Sequence, residues 1–228
     1  MGTDLLALLQ MQQVCDAVFP VGAFALSNGL ETYIQQERVA DGAGLLAYLR
    51  GYTALLPYQD LGFFIHAARA GDAGAAARLD ALLAASRAPR EVRQGGSRMC
   101  ARFLKLLASL PGDSPALRSY AQAVASGACH GAYPVALGLY AAAVGAPLEQ
   151  AAGLYGYSIL SACVTNAVKL IPLGQTDGQR ALAAVLPALG AAVREACRVG
   201  EPDLGLCGAG FDIRAMQHET LRARLYMS

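Results

Sequence analysis

The stretch Gln150-Ala-Ala-Gly-Leu-Tyr-Gly-Tyr-Ser-Ile-Leu-Ser-Ala-Cys-Val-Thr-Asn-Ala-Val168 contains no Asp, Glu, Lys or Arg, and a second uncharged stretch covers residues 119–148. Uncharged runs of this length are typical of membrane-spanning helices. Polar side chains interrupt both runs, however, and alanine and glycine, which add little to the free energy of membrane insertion, supply most of the remainder. The two stretches therefore predict closely packed helices buried inside a soluble protein.

Apolar residues recur at spacings of three and four along almost the whole chain, which is the period of an α-helix. Helices are predicted over residues 5–18, 41–56, 61–70, 73–85, 89–110, 115–126, 134–144, 147–171 and 176–199. Pro187 in the last of these predicts a kink or a division into two helices. With no strand-like alternation and no long linker, we expect an all-α, single-domain bundle of about ten helices over residues 1–228.

Composition excludes several classes of function. A net charge of +1 gives no general electrostatic reason to bind nucleic acid or an anionic membrane. The six cysteines show neither CxxC nor CxH spacing, and no basic region leads into an apolar run at the N-terminus. These features predict a cytoplasmic protein with reduced thiols.

A search for catalytic motifs finds no phosphate-binding loop, no HExxH and no GxSxG. His66 follows two phenylalanines and an isoleucine, a setting typical of a partly buried imidazole. Cys129 and His130 are adjacent, so on a helix they point about 100° apart and do not suit one metal ion. For His218, followed by Glu219, a surface salt bridge competes with a binding role. We therefore predict no enzyme activity, no cofactor and no metal site.

The segment Asp16-Ala-Val-Phe-Pro-Val-Gly-Ala-Phe-Ala-Leu-Ser-Asn-Gly-Leu-Glu31 predicts a tight turn between two helices. Pro20 stops the first helix, and Gly22 permits a backbone conformation that a Cβ disfavours. Ser27 or Asn28 can cap the next helix, with Glu31 in its first turn. An ordinary helix–helix corner is the simpler interpretation of this spacing.

Residues 212–228 form a charged and aromatic tail that ends in Arg224-Leu-Tyr-Met-Ser228. A terminus of this composition, with no polar spacer, is expected to dock on its own protein or on a partner. If the tail is helical, Arg214, His218 and Arg222 lie four residues apart and form one basic stripe.

Four further segments follow the turn in a characteristic order: Ala88-Pro-Arg-Glu-Val-Arg93, Ala167-Val-Lys-Leu-Ile-Pro-Leu-Gly-Gln175, His218-Glu-Thr220 and the terminal Arg224-Leu-Tyr-Met-Ser228. Together with the turn, they resemble the UreF family of urease accessory proteins, and the resemblance extends over residues 5–228. The chain departs from many members in carrying Leu26 before Ser27, where those members have His or Tyr.

The resemblance implies an all-α homodimer that binds the accessory protein UreD, also called UreH, and the nickel-carrying GTPase UreG. It implies a non-catalytic scaffold in the assembly that delivers nickel to apo-urease. Two alternatives stay open. The protein could be a GTPase-activating protein that supplies a cationic side chain to the nucleotide of UreG, or a direct nickel carrier.

By the same resemblance, a partner-binding tail that recruits UreG falls on His218, Glu219, Arg224, Leu225 and Tyr226, and we add Arg222, which lies among them. The partner-facing lysine of the family falls on Lys169. A lysine at the end of its helix that simply extends to water is the competing interpretation of Lys169.

Overall fold

The helices begin and end close to the positions that the sequence predicts. The computed structural model describes residues 5–227, so Ser228, the last residue of the predicted tail, lies outside the described residues. That range contains eleven α-helices and no strand, which confirms the all-α prediction. In chain order they are α1 Leu5–Cys15, α2 Leu30–Gln35, α3 Gly42–Leu55, α4 Asp60–Ala70, α5 Ala73–Ser86, α6 Arg90–Leu107, α7 Pro115–Ala125, α8 Tyr133–Ala143, α9 Leu148–Leu170, α10 Gln175–Ala196 and α11 Ala209–Gln217.

Side-chain caps fix the start of three helices. Asp41 accepts a hydrogen bond from the backbone N–H of Gly44 at 2.8 Å, and Asp72 accepts one from Ala75 at 2.9 Å. Ser114 does the same for Leu117 at 3.2 Å. Each bond satisfies a backbone donor that the first helical turn leaves without a partner, so these helices start where the sequence indicates.

Helix α8 lies at the centre of the bundle. Every residue over 133–141 is buried, and the helix packs along α4. The approach is close because Gly138 faces the carbonyl oxygen of Phe64, where a Cβ would collide. The uncharged segments of α8 and α9 are thus packed in the core, and no helix within residues 5–227 has the length and apolarity needed to cross a bilayer.

Two predictions about the second half of the chain need correction. Pro187 lies inside α10, which continues as one helix from Gln175 to Ala196, so the helix is not divided and the kink stays a prediction. Helix α11 ends at Gln217, and a short 3-10 turn covers His218–Thr220. Arg222 lies beyond that turn, so Arg214, His218 and Arg222 do not form a helical stripe.

Candidate partner-binding site

The turn after α1 uses left-handed backbone at three positions. Gly22 has φ +85°, which agrees with the prediction for this turn, and Asn28 and Gly29 have φ values of 51° and 86°. A Cβ on Gly29 would lie 2.9 Å from the backbone nitrogen of Ala215, so the start of α2 packs directly on α11. This contact brings the N-terminal turn to the tail.

The predicted turn residues lie between α1 and the first turn of α2, but the predicted cap is wrong. Pro20 follows α1 and is exposed, and Ser27 is buried. Gly29, and neither Ser27 nor Asn28, occupies the cap position of α2. The Oγ of Ser27 still accepts a hydrogen bond from the backbone N–H of Glu31 at 3.4 Å. Glu31 is in the first turn of α2, as predicted.

The carboxylate of Glu31 binds the tail. Glu31 is 1% exposed, and its Oε1 accepts a hydrogen bond from the backbone N–H of Leu225 at 2.8 Å. Its Oε2 accepts from the N–H of Tyr226 at 3.1 Å and from Nε2 of His218 at 3.0 Å. Three donors from the tail therefore converge on one buried carboxylate, which can accept all of them.

A second carboxylate approaches His218 from the other edge of its ring. Nδ1 of His218 lies 2.6 Å from Oε2 of Glu91 on α6, and Oε1 of Glu91 accepts a hydrogen bond from Arg224 at 2.8 Å. Ionised carboxylates only accept, so we assign a proton to both nitrogens of the ring. We refer to Glu31, Glu91, His218 and Arg224 as the tail clasp. With both carboxylates ionised and both ring nitrogens protonated, the tail clasp has two negative and two positive side chains.

Further contacts fix the path of the tail on either side of the clasp. Met227 donates from its backbone N–H to the carbonyl of Ala25 at 2.8 Å, and Gln35 donates to the carbonyl of Ala223 at 2.8 Å. The hydroxyl of Tyr226 lies 3.5 Å from the carbonyl of Asn166 on α9. Burial, together with the nearby charge of Glu31, raises the pKa of Tyr226, so this hydroxyl stays neutral and keeps its proton for donation.

The predicted site residues divide into two groups. His218 and Tyr226 are buried, and Glu219 pairs with Arg90 at 2.6 Å. Residues with side chains that reach solvent are Lys169, Arg222, Arg224 and Leu225. The direct partner contacts predicted for His218 and Tyr226 do not fit the docked tail, because their side chains are enclosed by this chain. Their observed contacts hold the tail in place.

Sequence reasoning missed two members of the site, Glu91 as a tail ligand and Asn166. Glu91 is the acidic residue within the arginine-rich start of α6, and that isolated charge was the available signal. Asn166 is buried near the end of an uncharged run, and its amide donates to the carbonyl of Leu26 at 2.9 Å. It therefore links α9 to the turn on which the tail docks.

A cavity of about 450 Å³ lies between α1, the turn, α6, α9 and α11. The charged side chains in the wall of this cavity largely pair with one another. Arg87 binds Asp60 at 3.0 Å, and Tyr155 donates to the same carboxylate at 3.1 Å. Over residues 5–227, no three His, Cys, Asp or Glu side chains are placed to hold one metal ion. In the tail clasp itself, the two carboxylates approach opposite edges of the imidazole and do not converge on one point.

Comparison with known proteins identifies the family of this chain. The UreF family model matches residues 39–186. A urease accessory protein UreF from Bacillus sp. (strain TB-90) is 35% identical, over 97% of this chain and 99% of its own length. Proteins of the same name from Actinobacillus pleuropneumoniae serotype 3 (strain JL03) and Haemophilus influenzae (strain PittEE) are 39% and 38% identical, over 93% and 99% of this chain and 95% and 96% of theirs. This chain therefore belongs to the UreF family of urease accessory proteins.

Proposed function

We propose that the protein is a non-catalytic cytoplasmic scaffold that bridges UreD/UreH and the GTPase UreG during nickel delivery to apo-urease. The observation that supports this most directly is the conformation of the tail. Glu31 fixes the backbone of Leu225 and Tyr226, while the side chains of Arg222 and Leu225 face solvent. A fixed backbone with outward side chains suits binding, because less conformational freedom is lost when a partner docks.

The exposed residues have the chemistry of a protein interface. Leu225 is 61% exposed and lies between Arg224 and the buried Tyr226, so an apolar side chain and a guanidinium are presented together. Arginine and large apolar groups at the centre of an interface often dominate the binding energy. Lys169 belongs to the same region, since it lies three residues after Asn166 on α9, and Asn166 contacts the hydroxyl of Tyr226.

Replacing Leu225 by alanine tests this role. The backbone N–H of residue 225 keeps its bond to Glu31, so the fold and the melting temperature should stay nearly unchanged. Binding of UreG should weaken about thirtyfold or more, which corresponds to a loss of about 2 kcal/mol at an interface hot spot. Pull-down and titration of UreG with the purified protein measure the effect.

Leu206→Ala is the matched control, because Leu206 is 52% exposed and lies outside the tail. It should bind UreG like the unmodified protein. Equal binding by the Leu225 and Leu206 variants would contradict the proposed role of the tail. A large drop in the melting temperature of Leu225→Ala would assign that residue to the core instead.

The side chain of Arg222 is exposed, which also fits a second candidate function. The protein would then activate the GTPase UreG by supplying the guanidinium of Arg222 to its bound nucleotide. An activator accelerates GTP hydrolysis when added in small amounts, and Arg222→Ala abolishes the acceleration. A scaffold changes assembly and leaves turnover almost unaltered. Equilibrium dialysis of the isolated protein against nickel tests the third possibility, a direct nickel carrier.

We also propose that the protein is a homodimer. Helix α1 carries an exposed apolar face made of Leu5, Leu6 and Leu9, and Val18 in the following turn is exposed as well. Contiguous exposed apolar surface is usually covered by association, and two-fold dimers are the commonest form of self-association. Light scattering on the isolated protein measures its mass.

A further inference from the structure

The tail clasp has the composition of a proton-dependent latch. Both ring nitrogens of His218 face carboxylate oxygens, at 2.6 Å from Glu91 and 3.0 Å from Glu31. The ring is 0% exposed, so water cannot replace a lost partner. We propose that the proton on His218 controls docking of the tail, with Glu31 as the positioning residue that transmits the charge state of the ring to the tail backbone. This inference rests on the proposed role of the tail in partner binding.

Loss of the proton has two direct consequences. One nitrogen of the ring becomes an acceptor, so its lone pair faces a carboxylate oxygen at hydrogen-bond distance and the two repel. The clasp then holds two carboxylates against the single charge of Arg224, which leaves a net negative charge in a place largely closed to water. Both effects destabilise the docked tail, since buried charges without partners are strongly disfavoured.

Among residues 5–227, the other charged groups near His218 do not replace that proton. Arg224 on the tail stays charged at all relevant pH values. Arg90 on α6 pairs with Glu219 of the 3-10 turn, and the side chain of Arg90 is 63% exposed, so solvent screens this pair. Tyr226 has its pKa raised and contributes no charge. Only His218, Glu31 and Glu91 therefore change the charge of the buried clasp.

The geometry couples this charge to the tail backbone directly. Glu31 accepts from the ring of His218 and from the N–H groups of Leu225 and Tyr226 with the same carboxylate. When the ring repels a carboxylate, Glu31 or His218 must move, and the two N–H bonds of the tail are lost with that movement. The sign follows: docking of the tail is lost as pH rises and His218 gives up its proton.

Hydrogen exchange on the chain of residues 1–228, without partners, tests the inference. The reporters are the amides of Leu225 and Tyr226, corrected for the intrinsic pH dependence of exchange, and the buried amide of Leu137 in α8 is the internal reference. Protection of the two tail amides should fall about tenfold or more between about pH 6 and about pH 9, while Leu137 stays protected. Constant protection of the tail amides over this range would overturn the proposal.

Variants show whether the proton on His218 causes the pH dependence of tail protection. His218→Gln cannot carry the proton, so it should show weak protection that no longer changes with pH. His130→Gln is the matched control at an exposed histidine and should behave like the unmodified protein. If His218→Gln does not fold, Glu91→Gln is the alternative test. This variant removes one of the two carboxylates that stabilise the proton on His218, so the loss of tail protection should begin at lower pH. An unchanged profile in Glu91→Gln would contradict a proton held on His218.

Binding of UreG at each pH separates this inference from the proposed function. If the tail amides lose protection as predicted but binding of UreG stays constant, the latch exists and the tail is not the binding segment. If binding requires Leu225 but tail protection does not change with pH, the tail binds the partner and the latch is refuted.

Discussion

Gly22 lies in the turn after α1 with a left-handed backbone conformation. Its φ of +85° disfavours any side chain, and a Cβ there would also collide with the guanidinium of Arg102. We expect Gly22→Val to lower the free energy of unfolding by about 1–3 kcal/mol. Urea denaturation followed by circular dichroism measures the change.

Gly153→Val is the matched control, because Gly153 lies in α9 and a Cβ there meets no other atom within 4 Å. That variant should retain nearly the original stability. If the two valine variants are equally stable, the turn tolerates a side chain and its backbone conformation is not required.

The position of Glu31 could be predicted from the sequence, but its tail partners could not. Its place in the first turn of α2 follows from local rules, since acidic side chains favour helix N-termini. Its three tail partners lie up to 195 residues away along the chain, and local patterns do not show which distant donors bind a buried acceptor. The motif resemblance included both the turn and the tail, but it did not predict that they contact each other.

At the scale of elements, helix period and capping residues account for most of the bundle. Asp41, Asp72 and Ser114 each directly precede a helix and cap it in the structure. The tail is the exception. Its pattern continues a helix through Arg222, but the chain leaves the helix after Gln217, where His218 turns into the protein to meet Glu31 and Glu91. Long-range hydrogen bonds here override a local helical preference.

The packing of α8 on α4 gives the element-scale prediction. A methyl group on Gly138 would collide with the carbonyl of Phe64 and lie 3.0 Å from the Cβ of Ala67, so the two helices would have to separate. We expect Gly138→Ala to destabilise the protein by about 1–3 kcal/mol, because overpacking forces the backbone to shift. Thermal unfolding measures this.

Alanine normally stabilises a helix relative to glycine, which gives the test a clear sign. Gly153→Ala in α9, where space is open, should therefore raise the melting temperature slightly while Gly138→Ala lowers it. A stabilised Gly138→Ala protein would show that α4 and α8 are farther apart than described.

At the scale of the whole molecule, burial of the cysteines in the core affects how stability depends on pH. The sequence predicts reduced thiols that fill apolar space, and all six cysteines are free, with Cys15, Cys100, Cys129 and Cys163 buried and Cys207 exposed. Burial raises the pKa of Cys15 and of Cys163 to about 12. The native state therefore favours the neutral thiol at both positions.

Burial of these thiols predicts that the stability of the whole molecule decreases at high pH. A folded-state pKa above the unfolded value means that the contribution of each thiol to stability is complete below the ordinary thiol pKa and is lost as pH rises toward about 12. Stability should fall steadily above about pH 9, at first through the thiols and above about pH 10 also through buried tyrosines. Urea midpoints over this pH range measure the decline.

Two cysteine variants show whether the buried thiols cause this loss of stability. Cys163→Ala should flatten the decline between about pH 9 and about pH 10, whereas Cys207→Ser should leave it unchanged because Cys207 is exposed. The same exposure makes Cys207 the fastest residue to react with a thiol reagent in the folded protein. Rapid modification of Cys163 in the native state would contradict the burial on which the prediction rests.

The long separation between Glu31 and its tail donors also bears on how the protein is made. Glu31 leaves the ribosome 195 residues before Tyr226. At typical elongation rates of about 5–20 residues per second, that interval lasts roughly 10–40 seconds, during which the carboxylate of Glu31 lacks its tail donors. Until they arrive, Glu31 must remain hydrated, so the turn and α2 can adopt their final packing only after synthesis of the tail. A ribosome that stalls before residue 218 would thus hold a nascent chain in which Glu31, after the turn that follows α1, is still exposed to water.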